Sequence, residues 1–290
     1  MILGFSDYEA QGRRLAEQLE RTFQPIDIHR FPDGESKVTV PAELPERVIL
    51  CRSLDRPNDK LIELMLAART ARANGAGHLT LVAPYLCYMR QDIAFSPGEA
   101  VSQRIVGQFL AELFDAVITV DPHLHRIERL EQAIPTGAAI SLSAAPALSA
   151  FLAENEADPL LLGPDEEARQ WVRAVAEPAG LEYAVAHKER RGDRDVRVVL
   201  PKHDFAGRTV VLVDDMISTG RTLITVARAL KETGVGSIRC LVTHPLFADD
   251  ATRHLQEAGV QKLWSSDSIT HPSNAVVLDQ TLAEAIRRLE

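Results

Sequence analysis

The chain has 290 residues, of which 46% are hydrophobic and 25% charged, the balance of a globular protein long enough for about two domains. Lys plus Arg number 32 against 41 Asp plus Glu, and a net charge of −9 argues against the broad basic surface that sequence-independent nucleic-acid binding needs. Cys51, Cys87 and Cys240 are odd in number and far apart, the start at Met1 lacks a basic-then-apolar leader, and no apolar run nears the ~20 residues of a bilayer span; a cytoplasmic protein with no membrane partner is expected.

Short β-branched runs alternate with helical periodicity along nearly the whole chain. Strands are predicted over residues 2–5, 26–29, 37–40, 48–51, 79–83 and 117–120, with helices over 7–20, 58–74 and 99–114. Asn58 suits a helix cap, and Gly75-Ala76-Gly77 suits a helix stop. Further on, strands are predicted over 160–162, 183–186, 196–200, 210–213, 238–243 and 276–278, and helices over 166–176, 222–233, 251–258 and 281–289. Strands that are apolar throughout imply parallel sheets covered on both faces, hence an α/β fold. Residues 74–83 and 233–242 share a helix–Gly-x-Gly–strand pattern, which points to two similar halves. The Ala- and Ser-rich stretch 137–149 is the expected boundary, giving domains over 1–140 and 141–290.

The densest chemical signal is the run 210–222, a buried strand ending in Asp214 and Asp215, then Met216, Ile217, Ser218, Thr219, Gly220, Arg221 and Thr222 opening a helix. Backbone N–H groups at a helix start, with the hydroxyls of Ser218, Thr219 and Thr222, suit a phosphate monoester. Two adjacent acids suit the vicinal hydroxyls of a ribose, at the strand end where open α/β sheets bind ligands. The competing reading makes the two acids turn and cap residues. This segment resembles the phosphoribosyl-diphosphate-binding loop shared by phosphoribosyltransferases and ribose-phosphate diphosphokinases.

The first half separates these two activities. Arg30-Phe31-Pro32-Asp33-Gly34-Glu35 lies between two strands, and Arg90-Gln91-Asp92 follows the strand 79–83. Arg90 can meet phosphate oxygens, Phe31 offers a ring face to a base, and Asp33, Glu35, Gln91 and Asp92 offer edge contacts. Taken alone, the Phe31–Glu35 run reads as a plain turn. In this order the segments resemble the nucleotide-binding elements of the ribose-phosphate diphosphokinase family, and no Walker A or GxGxxG sequence is present.

That resemblance extends to Asp121-Pro122-His123, similar to the family's metal segment, and to Pro164-Asp165, similar to its second metal and sugar segment. It implies Mg²⁺ at His123 and Asp165. A histidine after a strand serves as well as a hydrogen-bonded structural residue, and His125 lacks the third ligand that zinc requires. In the charged run 187–193, Lys188 and Arg190 match the family's Lys-x-Arg pair, which closes over the transferring diphosphoryl group; such a run is otherwise a solvated hairpin tip. Ser218, Arg221, Glu166-Glu167 and residues 96–99 depart from the commonest bacterial pattern and look more like the compact archaeal-type branch.

The resemblance implies two Rossmann-like phosphoribosyltransferase-type domains with the active site between them, and a C-terminal helix returning to the first domain. The implied substrates are ATP and ribose 5-phosphate, and the implied assembly is a homodimer or larger, with the ATP site shared between subunits. Two rivals are a phosphoribosyltransferase, which leaves residues 33–35 and 90–92 unexplained, and a non-catalytic regulatory relative, in which the loop of Lys188 and Arg190 is altered.

Overall fold

A computed structural model of the chain describes residues 1–124, 126–190, 196–248 and 250–289, with side chains described throughout except at 188–190, 196 and 197. The chain divides into two compact units: Met1–Ser143 with Ser268–Thr270 and Leu278–Glu290, and Ala144–Asp267 with His271–Val277.

The first unit runs β1 (Ile2–Phe5), α1 (Glu9–Gln18), β2 (Phe23–Arg30), β3 (Ser36–Thr39), β4 (Arg47–Cys51), α2 (Pro57–Ala73), β5 (His78–Val82), α3 (Ser102–Leu113), β6 (Ala116–Val120) and β7 (Ala138–Leu142). The second contributes α4 (Ala145–Asn155), β8 (Leu160–Gly163), α5 (Arg169–Ala179), β9 (Tyr183–Val185), β10 (His187–Arg190), β11 (Val196–Val199), β12 (Thr209–Ile217), α6 (Arg221–Lys231), β13 (Ser237–Pro245), α7 (Ala251–Glu257), β14 (Val260–Ser266) and β15 (Asn274–Val276). The last helix, α8 (Asp279–Arg288), belongs to the first unit and packs against α1.

The first sheet has the strand order β3-β2-β1-β4-β5-β6-β7. Its inner strands are parallel, and Leu50, Leu81 and Val117 on β4, β5 and β6 are wholly buried. Apolar side chains on both faces of these strands meet helices on either side, which the uninterrupted hydrophobic runs require. Only the β2–β3 pair is antiparallel, and its alternating exposure marks a sheet edge with one wet face. The second sheet, β15-β14-β13-β12-β8-β9, is parallel throughout, and β10 and β11 form a separate antiparallel hairpin.

The repeated Gly-x-Gly pattern does the same two jobs in each unit. Gly75 and Gly234 adopt φ of +111° and +76°, where a side chain is strained. Gly77 and Gly236 then allow close approach: a Cβ on Gly236 would stand 2.5 Å from the carbonyl oxygen of Gly207.

Several expectations need correction. Asn58 is not the cap of α2: Arg56 occupies that position at φ 49°, Pro57 supplies the first helical residue, and Asn58 Oδ1 accepts a hydrogen bond from the Tyr88 hydroxyl. The stretch 137–149, expected as the boundary, holds β7 and the first turn of α4, and the division between Ser143 and Ala144 falls within it. The charged run at 187 is in part a strand, paired through His187–Val199 to Arg190–Val196. Strand β14 was not expected at all.

Candidate active site

In the second unit the chemistry gathers where β8 and β12 end. Their parallel register sets Leu162 beside Leu212, so Asp165 after β8 and Asp214 in the carboxyl-terminal half of β12 lie toward the same edge. Asp165 caps the following turn, accepting the N–H groups of Glu167 and Ala168 at 3.1 and 3.3 Å. Burial, and the negative charges of Asp215 and Asp165, push the Asp214 carboxyl well above the usual aspartate range. Asp215 is itself buried. These carboxylates lie close enough to repel one another, and a divalent cation relieves such repulsion.

At the end of β12, Ile217 and the following Ser218 are held from outside: their carbonyls accept the N–H groups of Phe247 and Ala248 at 2.9 and 3.1 Å. Gly220 then takes φ +68° and starts α6, whose first turn has no side-chain cap. Gly220 has no side chain with which to cap it, and none of the described α-helices has a side-chain cap. The first N–H groups of α6 stand beside Ser218, Thr219 and Thr222, where an anion can be met. Ser218, Thr219, Arg221 and Thr222 are exposed or half-buried around this turn. Lys188 and Arg190 lie on the backbone of β10, but their side chains, like residues 191–193 and His125, fall outside the described part.

In the first unit the sequence-predicted residues also follow strand ends. Between β2 and β3 the loop 31–35 is closed by the Phe31 N–H to the Glu35 carbonyl (2.8 Å) and the Gly34 N–H to the Phe31 carbonyl (3.0 Å). The Glu35 N–H reaches Asp33 Oδ1 at 3.2 Å, Gly34 has φ +96°, and Phe31 is 42% exposed. A groove of about 560 Å³ beside this loop is lined by Asp33, Gly34, Glu35, Ser36 and, from α2, Asp59, Ile62 and Leu66. After β5, Arg90 is exposed, and Gln91 accepts the Ser102 hydroxyl at 3.3 Å. Asp92 is buried and meets Arg126 Nη1 at 2.5 Å, which ties this segment to the one after β6.

There His123 stands at φ 52° and Asp121 at φ 38°, with Tyr88 at 60° after β5 and Phe247 at 35° after β13. Left-handed backbone at non-glycine residues costs about 1–3 kcal/mol each. These four lie after strand ends, on the ligand-binding edge of parallel sheets, while Glu20, Arg56 and Asp158 adopt it elsewhere. Sequence reasoning missed the ion pairs beneath the loop 31–35. Glu63 on α2 meets Arg30 and Arg52, and Arg52 meets Asp7. A charged residue directly after an apolar parallel strand, as Arg52 is after β4, was the available signal.

Among the described residues no group of three or more His, Cys, Asp or Glu side chains forms a ready-made metal cage. Mg²⁺ does not demand one, since one or two carboxylates with substrate phosphates and water suffice. The crowded oxygen donors of Asp165, Asp214 and Asp215 fit that requirement.

An acid pair on a parallel strand, followed by a hydroxyl-rich turn opening a helix, defines an α/β protein of the phosphoribosyl-binding class. Residues 138–281 match the model of the phosphoribosyl transferase domain, and residues 1–113 match that of the N-terminal domain of ribose phosphate pyrophosphokinase. The ribose-phosphate pyrophosphokinase of Methanopyrus kandleri is 39% identical over 100% of this chain and 99% of its own. That of Saccharolobus solfataricus is 33% identical over 93% of each chain. The crystal structure of phosphoribosylpyrophosphate synthetase from Mycobacterium smegmatis shares the fold, with a TM-score of 0.84 at 22% identity over 100% of this chain and 98% of that one. The chain belongs to the ribose-phosphate pyrophosphokinase family.

Proposed function

We propose that the protein transfers the β,γ-diphosphoryl group of ATP to the 1-hydroxyl of D-ribose 5-phosphate, giving 5-phosphoribosyl 1-diphosphate and AMP. The observation that carries this reading is the match of residues 1–113 to the N-terminal domain of ribose phosphate pyrophosphokinase, ahead of a phosphoribosyl transferase domain over 138–281 whose β12–α6 junction sets helix N–H groups beside clustered carboxylates. The helix start with Ser218, Thr219, Gly220, Arg221 and Thr222 takes the 5-phosphate, and Asp214 and Asp215 take the ribose hydroxyls. The sugar is then fixed with its 1-hydroxyl free, so that attack on the β-phosphorus becomes a matter of positioning.

The nucleotide is assigned to the first unit. Phe31 presents a ring face to the base, Asp33, Gly34, Glu35, Gln91 and Asp92 present edge contacts, and Arg90 meets the phosphate oxygens. The exposure of Phe31 at a loop tip supports completion of this site by a second copy of the chain, in a homodimer or larger assembly. In this reading His123 holds a Mg²⁺ that neutralises triphosphate charge when bound, and Asp165 belongs to a second metal and sugar site. Lys188 and Arg190 donate to the diphosphoryl oxygens as the bond to the departing AMP breaks. Among the described residues no helix is long and apolar enough to cross a membrane, and the three free cysteines are buried, which suits a reducing cytoplasm.

The test is AMP release from ATP and Mg²⁺ with and without ribose 5-phosphate. Sugar-dependent AMP is expected. ADP as the product would replace diphosphoryl transfer by simple phosphoryl transfer, and no nucleotide product would favour a non-catalytic relative.

A further inference from the structure

One buried carboxylate has no part in the reaction described above. Glu63 on α2 is fully buried, and its Oε1 accepts from Arg30 Nη2 and from Ser36 Oγ, each at 3.1 Å. Its Oε2 lies 2.7 Å from Arg52 Nη2. Arg30 and Ser36 are the register pair that closes the β2–β3 hairpin, so one oxygen atom holds both ends of the loop 31–35.

The hold continues inward. Arg52 Nε donates to both oxygens of Asp7 at 3.1 and 3.3 Å, and its guanidinium lies over the Phe5 ring at 4.2 Å. Lys60 in turn meets Asp7 at 2.7 Å and Asp55 at 2.6 Å. Asp7 follows β1 and Arg52 follows β4, so the chain of ion pairs fastens an edge hairpin to the carboxyl ends of the central strands. The loop faces solvent and is braced further by its own hydrogen bonds, by the edge contact of the Phe31 ring with His29 at 4.8 Å, and at its base by the exposed pair of Arg30 with Asp59 at 3.4 Å.

Burying charges here is a poor way to gain stability, because desolvation offsets most of the attraction and apolar packing does as well. What a buried carboxylate with several donors supplies is a fixed register. We propose that Glu63 is a positioning residue for the nucleotide. It sets the geometry at which Phe31, Asp33 and Glu35 meet ATP, by holding Arg30 and Ser36 on one carboxylate oxygen. This rests on the assignment of the loop 31–35 to ATP.

The experiment uses steady-state kinetics and thermal melting of the whole chain carrying Ser36→Ala, Arg30→Met or Glu63→Gln. Arg72→Ala serves as a stability control, since Arg72 pairs with Asp115 at the amino ends of β5 and β6. Ser36→Ala and Arg30→Met are expected to raise KM for ATP roughly three- to tenfold, with kcat and KM for ribose 5-phosphate within about twofold. Glu63→Gln is expected to raise KM for ATP at least as much. Arg72→Ala is expected to lower the melting temperature and move neither KM.

If Ser36→Ala and Arg30→Met lower the melting temperature as Arg72→Ala does, yet leave KM for ATP at the wild-type value, Glu63 is structural and the proposal is overturned. Phe31→Ala separates this failure from failure of the loop assignment. A raised KM for ATP in Phe31→Ala with none in the clamp variants overturns the clamp alone. An unchanged KM in Phe31→Ala overturns the assignment and the clamp together. The two smaller variants decide the matter should Glu63→Gln fail to fold.

Discussion

Asp214 Oδ1 accepts the backbone N–H of Asp215 at 3.0 Å, while burial and the Asp215 side chain keep the Asp214 carboxyl protonated well above the ordinary aspartate range. One bond favours the anion, and the desolvated surroundings and neighbouring carboxylates oppose it more strongly. A raised folded-state pKa means that the folded protein binds the proton more tightly than the unfolded chain does. Asp214 therefore contributes stability that is present below the unfolded value of ~3.9 and lost as pH rises through the folded value. In EDTA, the melting temperature is expected to drop across that window, and Asp214→Asn to flatten the drop. Added Mg²⁺ is expected to stabilise the protein more at pH 8 than at pH 5. A pH-independent Mg²⁺ effect would sink this account.

Gly220 sets the start of α6 at φ +68°, and a Cβ there would meet Ile217 and Leu255 at 3.5 and 3.6 Å, an ordinary contact distance. Space is available, so the cost of Gly220→Ala is backbone strain of about 1–2 kcal/mol. The variant should fold, with KM for ribose 5-phosphate raised roughly five- to thirtyfold and KM for ATP little changed. Gly236→Ala differs in kind. Its Cβ would strike the Gly207 carbonyl oxygen, a backbone atom, and the expected readout is a large loss of soluble folded protein.

Lys188→Ala should lower kcat by about 10²–10³, the usual cost of removing one donor to developing transition-state charge, with KM for ATP within about twofold. Arg190→Ala should do the same. Rapid-quench measurement of AMP formation places the loss on the chemical step, whereas loss only in KM would assign the pair to ground-state binding.

Burial raises the Asp7 carboxyl, but the Arg52 guanidinium and the Lys60 ammonium outweigh it and hold it below the usual aspartate range. A depressed folded-state pKa gives stability present above the unfolded value and lost as pH falls through the folded one. Asp7→Asn is thus expected to destabilise the protein by about 1–3 kcal/mol at pH 7, since Arg52 and Lys60 lose the carboxylate between them while Arg52 keeps Glu63. Urea unfolding at pH 7 and below pH 4 checks this: the gap between wild type and variant should narrow in acid.

The legible parts of the fold share one property. Strands β4, β5 and β6 are short apolar runs between helices of clear periodicity, and their burial on both faces follows from composition. Strand β7 and helix α4 were hidden by alanine and serine, which give little hydrophobic contrast, and by Pro146 at the helix start. Strand β14 carries Gln261 and Lys262 on exposed positions and reads as polar chain until β13 pairs with it. The β10 strand was masked by its charges, which an exposed two-stranded hairpin tolerates.

The candidate site divides in the same way. Asp214 to Thr222 lie within one strand–turn–helix, so their proximity is a local fact visible in the sequence. That Asp165 joins them depends on the β8–β12 register. The Glu63 clamp depends on pairs 27, 33 and 45 positions apart, whose partners only the strand order brings together.

The return of α8 to α1 has a consequence for biosynthesis. Arg287 on α8 donates to the Gln18 carbonyl at the end of α1, across 269 positions of sequence. At 5–20 residues per second a ribosome needs about 15–50 s to cover that distance. During that time α1 has emerged without the helix that covers it, while most of the second unit has been made. A chaperone that shields apolar surface on nascent chains therefore has its longest window on the amino-terminal unit, although that unit is translated first.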